Sequence, residues 1–232
     1  MGKSIIQQAR GRGGPTYQVK KRAFIYTIKY PPFSGEAEII NIFHSAAHSA
    51  PLLKLLLNNK ISYIPAFNGS FIGQKLIIGN EVPKEGDIAF LKSIPLGTKI
   101  YNIERNPGDG GKMTRTSGGF ATLVKKEKNS AKILMSNKKE ITLNDNCRAT
   151  LGVIAGDGRL LKPFVTAGKK HFKMKARNKL WPRTSAVKVN AVDHPFGSGR
   201  GKRIKSKIAV RNAPPGKKVG HIRPRRTGRK KK

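Results

Sequence analysis

Residues 120–143, FATLVKKEKNSAKILMSNKKEITL, decide which class of fold we expect for this chain. Short runs that contain β-branched and other apolar residues are interrupted near Asn129-Ser130 and near Asn137-Lys138, and Asn is a common turn residue. This spacing predicts hairpin arms with turns at these two places. The surrounding fold should therefore be mainly β.

Short strand-like runs continue on both sides of this stretch. Before it stand AFIYTIKY, EAEIINIF, LLKLLL, ISYIPAF and KLIIG, separated by turn-forming sequences such as FNGSF and GNEVPKEGD, and after it CRATLGVIAG completes the set. LLKLLL could also form a helical turn or two, but it is short and ends at Asn58-Asn59, which favours a strand. These runs predict two small barrels of roughly 60–80 residues each.

The positive charge is concentrated at the two ends of the chain. The sequence has 48 Lys and Arg against 12 Asp and Glu, a formal net charge of +36. Residues 23–165 contain 19 basic and 11 acidic residues, whereas residues 166–232 contain 23 basic residues and a single acid, Asp193. Such an excess indicates a polyanionic partner, and nucleic acid is favoured over a membrane surface. The basic ends have few apolar residues, so we expect them to become ordered only on binding.

Simple counts exclude several other classes of protein. The sequence has no run of about 18 apolar residues that could span a membrane, and its N-terminus lacks a secretory pattern. Cys147 is the only cysteine, so neither an intrachain disulfide nor a zinc site built from several cysteines can form. The sequence therefore predicts a soluble intracellular protein without a membrane partner.

A glycine-rich segment, NPGDGGKMTRTSGG at residues 106–119, is a candidate phosphate-binding loop. It departs from a nucleotide-binding P-loop, because Asn106 stands where the first Gly is required and Met113 where Ser or Thr is required. We expect instead that the glycines let backbone N–H groups approach phosphates, with Lys112 and Arg115 adding charge. A connecting loop without a binding role is the alternative.

Asp193 and His194, in NAVDHPFGSG, are the most obvious candidates for a catalytic pair. A general base needs an oriented His and a nucleophile, yet sequence neighbours rarely point the same way, and no Ser or Cys partner is evident. We therefore interpret the pair as part of a turn before Pro195, with His194 presented to RNA. An RNA-processing enzyme centred on this pair is the alternative.

Aromatic residues in basic surroundings are candidates for stacking on bases. His171, Phe172 and Trp181 lie in KKHFKMKARNKLWPR, and Phe196 follows the Asp-His pair. Stacking contributes about 1–3 kcal/mol per base. Alternatively, Phe172 and Trp181 attach the basic arm to the barrel, and for Trp181 both interpretations stay open.

Several motifs, in order along the chain, resemble one known family. They are GRGGPTY, IERNPGDGGKMTRTSGG, CRATLGVIAGDGR, KPFVTAGKKHFKMKARNKLWPR, NAVDHPFGSG and RNAPPGKKVGHI. Together they extend over about residues 2–229 and resemble the universal large-subunit ribosomal protein L-two family in its archaeal/eukaryotic-type form. The resemblance implies a structural protein and not an enzyme. It also disfavours a packaging protein for DNA or RNA, which would need neither two barrels nor long fixed loops.

This resemblance implies a domain organisation and a set of partners. Residues 31–83 would form an oligonucleotide-binding-type barrel and residues 84–165 an SH3-like barrel, between a basic N-terminal extension at 1–30 and a basic, RNA-threading C-terminal extension at 166–232. The family is associated with large-subunit ribosomal RNA, neighbouring ribosomal proteins, the peptidyl-transferase region and contact with the small subunit. The chain would work in the cytoplasm, in the ribosome, without a cofactor or small-molecule substrate, and any structural magnesium or potassium would be bound through RNA.

The resemblance and the basic segments together give the expected site residues. No catalytic or metal-binding residue is predicted. Two departures from the family pattern, His48 at an Arg position and Ser185-Ala186 at an Arg-Gly position, weaken the contacts expected there. The loop nearest the peptidyl-transferase region would be Asp193, His194, Pro195, Phe196 and Gly197. The residues expected to contact RNA are Arg10, Arg12, Lys112, Arg115, Arg148, Lys169, Lys170, His171, Lys173, Lys175, Arg177, Trp181, His194, Arg200, Arg211, Lys217 and Arg226.

Overall fold

The computed structural model describes residues 3–198, 212 and 218–220. The chain divides into two compact units by packing. One is Lys20–Thr166, which we call the sheet unit. The other combines Met1–Val19 with Ala167–Lys232, and we call it the arm unit.

The described part of the sheet unit contains ten strands. Their bounds are β1 (Gly35–Phe43), β2 (Leu52–Leu57), β3 (Lys60–Pro65), β4 (Lys75–Ile78), β5 (Ile88–Phe90), β6 (Lys99–Tyr101), β7 (Ala121–Glu127), β8 (Ser130–Leu134), β9 (Glu140–Asn144) and β10 (Arg148–Leu151). They form one sheet in the order β3-β2-β1-β4-β5-β10-β6-β7-β8-β9. Neighbouring strands in this order are antiparallel, except that β4 and β5 are parallel. Short 3-10 helices lie at Lys21–Phe24 and Asp157–Arg159.

The stretch 120–143 forms the hairpins that its sequence predicts. Strands β7, β8 and β9 pair in succession, with turns at residues 128–129 and 135–139. Asn129 and Lys138 each adopt a positive φ of 62°, which the tight connections require. LLKLLL is strand β2, which ends before Asn58-Asn59, so the strand interpretation is confirmed and the helical one is wrong.

Alternation along the strands buries two separate apolar clusters in the sheet unit. The first includes Ile39 and Leu53, and the second includes Leu123 and Ile133, which face each other across β7 and β8. Each fully buried side chain of this size contributes about 1.5–3 kcal/mol. Cys147 lies in the second cluster, and burial raises the pKa of its thiol to about 11. The predicted mainly β fold is confirmed, whereas the two barrel types and the boundaries at 31, 84 and 166 stay predictions.

Helices occupy the described arm unit. They are α1 (Ile6–Gly11), α2 (Ala167–Ala176) and 3-10 helices at Pro15–Tyr17 and Ala186–Lys188. Helix α2 buries no residue. Its sequence therefore needs no apolar periodicity, which is the signal by which a helix is usually predicted. Its Ala, Lys and Met residues nevertheless have high helix propensity. Among the described helices, none is long and apolar enough to cross a membrane.

Candidate nucleic-acid interface

Glu104 is the centre around which the glycine-rich loop folds. Glu104 follows β6 in the sequence, and its side chain is fully buried. Its two carboxylate oxygens accept hydrogen bonds from five N–H groups. Two donors are the backbone amides of Gly108 and Gly110, at 3.2 and 3.0 Å. The other three come from Arg148, through its backbone N–H and through Nε and Nη2. A buried carboxylate is thus matched by one cation and several hydrogen bonds, as its desolvation requires.

Asp109 holds the remaining part of the same loop. Its carboxylate accepts backbone N–H groups of Arg105 at 3.0 Å, Asn106 at 3.3 Å and Gly111 at 2.9 Å. Asp109 itself donates its N–H to the Asn106 carbonyl. The loop is therefore closed by hydrogen bonds to its own acidic side chains.

The backbone N–H groups at the start of this loop already have acceptors within the protein. Every N–H from residue 105 to residue 113 donates to an acceptor within the sheet unit, and Lys112 and Met113 donate theirs to the Ile103 carbonyl. In this conformation five of these amides donate to the carboxylates of Glu104 and Asp109, and none is free for a phosphate. The predicted approach of the segment 106–119 to phosphates stays a prediction.

Arg115 and Arg148 point inward from the loop and from β10. Arg115 donates from Nε to Asn102 Oδ1 at 2.8 Å and from Nη2 to the carbonyls of Ile28 and Gly111. Arg148 donates from Nη1 to the Pro31 carbonyl at 2.8 Å, and its side chain is only 13% exposed. Both guanidinium groups build the loop, and their predicted contact with RNA stays a prediction.

A buried tyrosine connects the loop to the sheet. The Tyr30 hydroxyl donates to the Asn102 carbonyl at 2.7 Å and lies 2.7 Å from Thr150 Oγ1. The Arg148 guanidinium lies over the Tyr30 ring, 5.4 Å from its centroid. Burial raises the pKa of Tyr30, so the hydroxyl stays protonated and can donate. Lys112, by contrast, is exposed and extends from the outer face of the loop.

Helix α2 brings several predicted RNA contacts together in the arm unit. Lys170 Nζ lies 5.6 Å from the centroid of the Trp181 ring, and His171 packs edge-on against the same ring at 6.5 Å. Trp181 is half-buried, whereas Phe172 is 68% exposed. Trp181 therefore packs on the arm's own helix, and Phe172 does not anchor the helix by burial. Lys169 and Lys175 are exposed, and Lys173 is half-buried.

Basic residues from both ends of the arm unit line one pocket. Arg10, Arg177 and Lys179 contribute to its wall. The Asn178 amide donates to the Gln18 carbonyl and so links the segment after α2 to the N-terminal segment. Arg12 donates from Nη2 to Ser4 Oγ at 3.1 Å on the exposed side.

The segment around Asp193 and His194 forms a compact turn. The N–H groups of both residues donate to the Asn190 carbonyl, at 3.0 and 3.2 Å, and the Gly197 N–H donates to the His194 carbonyl at 2.9 Å. A Cβ at Gly197 would collide with the carbonyl oxygens of residues 189 and 190, so only glycine fits here. The predicted turn is thus present at residues 190–198.

His194 and Asp193 do not form a catalytic dyad in this turn. His194 Nδ1 accepts the N–H of Phe196 at 3.0 Å, and the two rings lie 5.1 Å apart. The Asp193 carboxylate instead faces Lys3 Nζ at 3.9 Å. Burial lowers the pKa of His194 below its ordinary value, and the hydrogen bond at Nδ1 assigns the proton of the neutral ring to Nε2.

The remaining predictions about site residues concern the C-terminal segment or metals. Arg200, Arg211, Lys217 and Arg226 lie outside the described residues. Within the residues that are described, no group of three or more His, Cys, Asp or Glu is placed to hold a metal ion.

Comparison with known proteins gives matches over the whole chain. The family model of Ribosomal Proteins L2, C-terminal domain, matches residues 84–216. The large ribosomal subunit protein uL2 of Archaeoglobus fulgidus is 45% identical over 234 residues, which cover 98% of this chain and 99% of the relative. The chain belongs to the ribosomal protein L2 family. Proteins of the same name from Methanococcoides burtonii and Sulfolobus acidocaldarius are 43% and 40% identical, each over 99% of this chain. Members of the L2 family are structural ribosomal proteins and not enzymes.

The sequence analysis of this L2-family chain missed two residues that organise the glycine-rich loop. They are Glu104 and Asp109, although the sequence has only 12 acids and these two stand just before the glycines and among them. Phe172 was considered for stacking but not included among the expected RNA contacts. The signal for Phe172 is its position in α2, which becomes visible only when the helix is known.

Proposed function

We propose that this chain is a structural constituent of the large ribosomal subunit, where it binds large-subunit ribosomal RNA, supports the peptidyl-transferase region and contributes to subunit association. The observation that carries the proposal is the match, over nearly the full length of both chains, to proteins named large ribosomal subunit protein uL2. Its place would be the cytoplasmic ribosome, among neighbouring large-subunit proteins.

The physical basis of RNA binding would be the excess of cations in the arm unit. Each phosphate that Lys or Arg neutralises releases counterions, which makes binding favourable and dependent on salt. In α2, Lys169 and Lys175 are exposed, and the helix has no acidic residue. These side chains are available to phosphates without loss of an internal ion pair.

The sheet unit would hold the side chain of Lys112 on a loop of fixed conformation. Its glycine-rich loop is closed by Glu104 and Asp109 before any RNA is present. Lys112 then projects from a loop whose conformation is already set. A pre-ordered loop loses little conformational entropy on binding, so more of its contact energy appears as affinity.

The turn at residues 193–197 would support the peptidyl-transferase region without performing chemistry. Among the residues that the structure describes, His194 is held by the Phe196 N–H and has no carboxylate partner, so it lacks the orientation that a general base needs. We infer a packing and hydrogen-bonding role toward RNA through Nε2–H.

Sucrose-gradient sedimentation of a cell lysate tests this proposal. After a high-salt wash, the chain should stay with the large subunit at about one copy per particle. If it washes off, or sediments with free RNA or DNA, the proposal is wrong and a packaging role is favoured. Large subunits reconstituted with His194→Ala should keep their RNA fold; turnover of RNA by the isolated protein that this variant abolishes would instead favour an enzyme.

A further inference from the structure

One row of α2 carries an aromatic ring between two lysines. Lys169, Phe172 and Lys175 follow one another at intervals of three residues, which places them along one side of the helix. All three side chains are exposed, and the ring of Phe172 is 68% accessible. A large aromatic side chain in this position does not stabilise the packing of the helix.

The other side of α2 makes the helix's internal contacts. Lys170, Lys173 and Met174 are half-buried, and Lys170 packs on the Trp181 ring. His171 lies beside both Trp181 and Phe172, with ring centroids 6.5 and 5.5 Å apart and ring planes inclined at 61° and 80°. The Phe172 ring therefore has an aromatic neighbour within the arm unit, and 68% of the residue's surface stays accessible among the described residues.

The charges around the Phe172 ring favour a nucleic acid over an apolar partner. A protein groove that covered the ring would have to desolvate the lysines one helical turn before and after it. Lys169 and Lys175 are separated by about 9 Å along the helix axis, at 1.5 Å per residue. In the described part of the chain neither lysine has an acidic partner.

We propose that Phe172 stacks on one unpaired RNA base while Lys169 and Lys175 bind phosphates on either side of that nucleotide. The inference rests on the proposed function and adds the type of RNA that α2 binds. In a duplex the faces of the bases are already stacked, so a flat ring can contact them only in a single strand, a bulge or a loop. Helix α2 is thus a reader of single-stranded RNA within the arm unit.

Fluorescence of 2-aminopurine tests the stacking directly. The full-length chain is titrated with a short oligouridine that contains one 2-aminopurine, and with a hairpin that carries the same base in its paired stem. Stacking on Phe172 should quench the base in the single strand and not in the stem. Phe172→Leu keeps an apolar side chain and a good helix former. It should abolish the quench and weaken single-strand binding about 5- to 140-fold, which corresponds to about 1–3 kcal/mol at 1.4 kcal/mol per tenfold.

Two further variants separate stacking from general effects of a substitution. Phe172→Tyr retains a π face and should restore the quench. Phe164→Leu removes another exposed phenyl ring, 52% accessible, and should leave the quench unchanged. A normal quench with Phe172→Leu, or an equal loss with Phe164→Leu, would overturn the inference.

The outcome can be distinguished from a failure of the proposed function. If Phe172→Leu has no effect on the quench but the chain still enters large subunits, only the role of α2 is wrong. If the wild-type chain does not sediment with large subunits, the proposed function fails. The single-strand quench then decides the stacking separately: its loss with Phe172→Leu supports the stacking, and its persistence overturns it.

Discussion

The loop at residues 104–115 and helix α2 use positive charge in opposite ways. Arg115 of the loop and Arg148 of β10 donate to carbonyl groups and to a buried carboxylate of the same unit. On α2, Lys169 and Lys175 extend into solvent from a helix that has no acid. Arg115 and Arg148 thus stabilise the protein itself, whereas the side chains of Lys169 and Lys175 are exposed to solvent. A count of charges does not distinguish these two roles, but burial and hydrogen bonding do.

Removal of the Glu104 carboxylate should have the largest effect on the loop. Glu104→Ala leaves five N–H donors without their acceptor and leaves the buried Arg148 without its counter-ion. We expect a loss of about 3–5 kcal/mol in the free energy of unfolding, as for other broken buried ion pairs. Urea denaturation of the variant and wild type measures this difference.

The control for that variant is an exposed glutamate with two lysine partners. Glu127 lies 3.1 Å from Lys125 and 2.9 Å from Lys132 at the sheet surface. Because water replaces these contacts, Glu127→Ala should change the stability very little. Equal losses for the two variants would show that the buried network does not set the stability of the sheet unit.

Two glycines of the same loop offer a matched pair of substitutions. Gly108 and Gly111 have φ values of 81° and 84°, so alanine is strained equally at both. A Cβ at Gly108 meets nothing within 4 Å, whereas at Gly111 it would collide with the Asn102 carbonyl oxygen. Gly111→Ala should therefore cost about 1–3 kcal/mol more than Gly108→Ala. Thermal denaturation of both variants measures the difference, and equal melting temperatures would mean that the loop is not tightly packed against Asn102.

Substitution of an exposed lysine in α2 should affect RNA binding and leave the stability of the protein nearly unchanged. Lys175→Ala removes an exposed side chain, and we expect its unfolding free energy to stay within about 0.5 kcal/mol of wild type. Its binding to single-stranded RNA should lose about 0.7 from the slope of log K against log salt, the share of one phosphate contact. Lys128→Ala, at an exposed hairpin turn, is the control and should leave the slope unchanged. A loss of stability in Lys175→Ala would remove the contrast between the two regions.

The smallest effect should be the titration of His194. Burial lowers the pKa of its ring, so the folded turn binds a proton less readily than the unfolded chain does. The contribution of this residue to stability is then present above its ordinary pKa and is lost as the pH falls through and below that value. Nitrogen NMR of the imidazole should show a neutral ring with the proton on Nε2 at pH 7. Titration at or above the ordinary pKa would contradict this expectation.

The strands could be predicted because their signals are local. In residues 120–143 the turn residues and the apolar positions stand next to each other in sequence, and the hairpins follow from them. The clustering of Glu104 with Arg148 could not be predicted in the same way. These residues are 44 positions apart, and only the antiparallel pairing of β10 with β6 brings them together.

The site residues also differ in whether their role depends on local sequence or on long-range packing. Lys169 and Lys175 were expected to face RNA, and their exposure is consistent with that expectation. Arg115 was chosen because a Gly-rich, basic loop is typical of phosphate binding, and Arg148 because of the family resemblance, but the direction of both side chains depends on long-range packing. Helix α2 itself was not predicted, since a helix that buries no face leaves no periodic pattern in the sequence.

The buried thiol of Cys147 makes the opening of the sheet unit measurable by chemical labelling. Cys147 has no exposed surface, and burial holds the pKa of its thiol near 11, so little reactive thiolate is present while the sheet is closed. A disulfide reagent should therefore react with Cys147 only when the second cluster opens around it. Since the sequence has no other cysteine, mass spectrometry should detect a single labelled species. The rate at which that species appears reports on the opening of the cluster without an engineered probe.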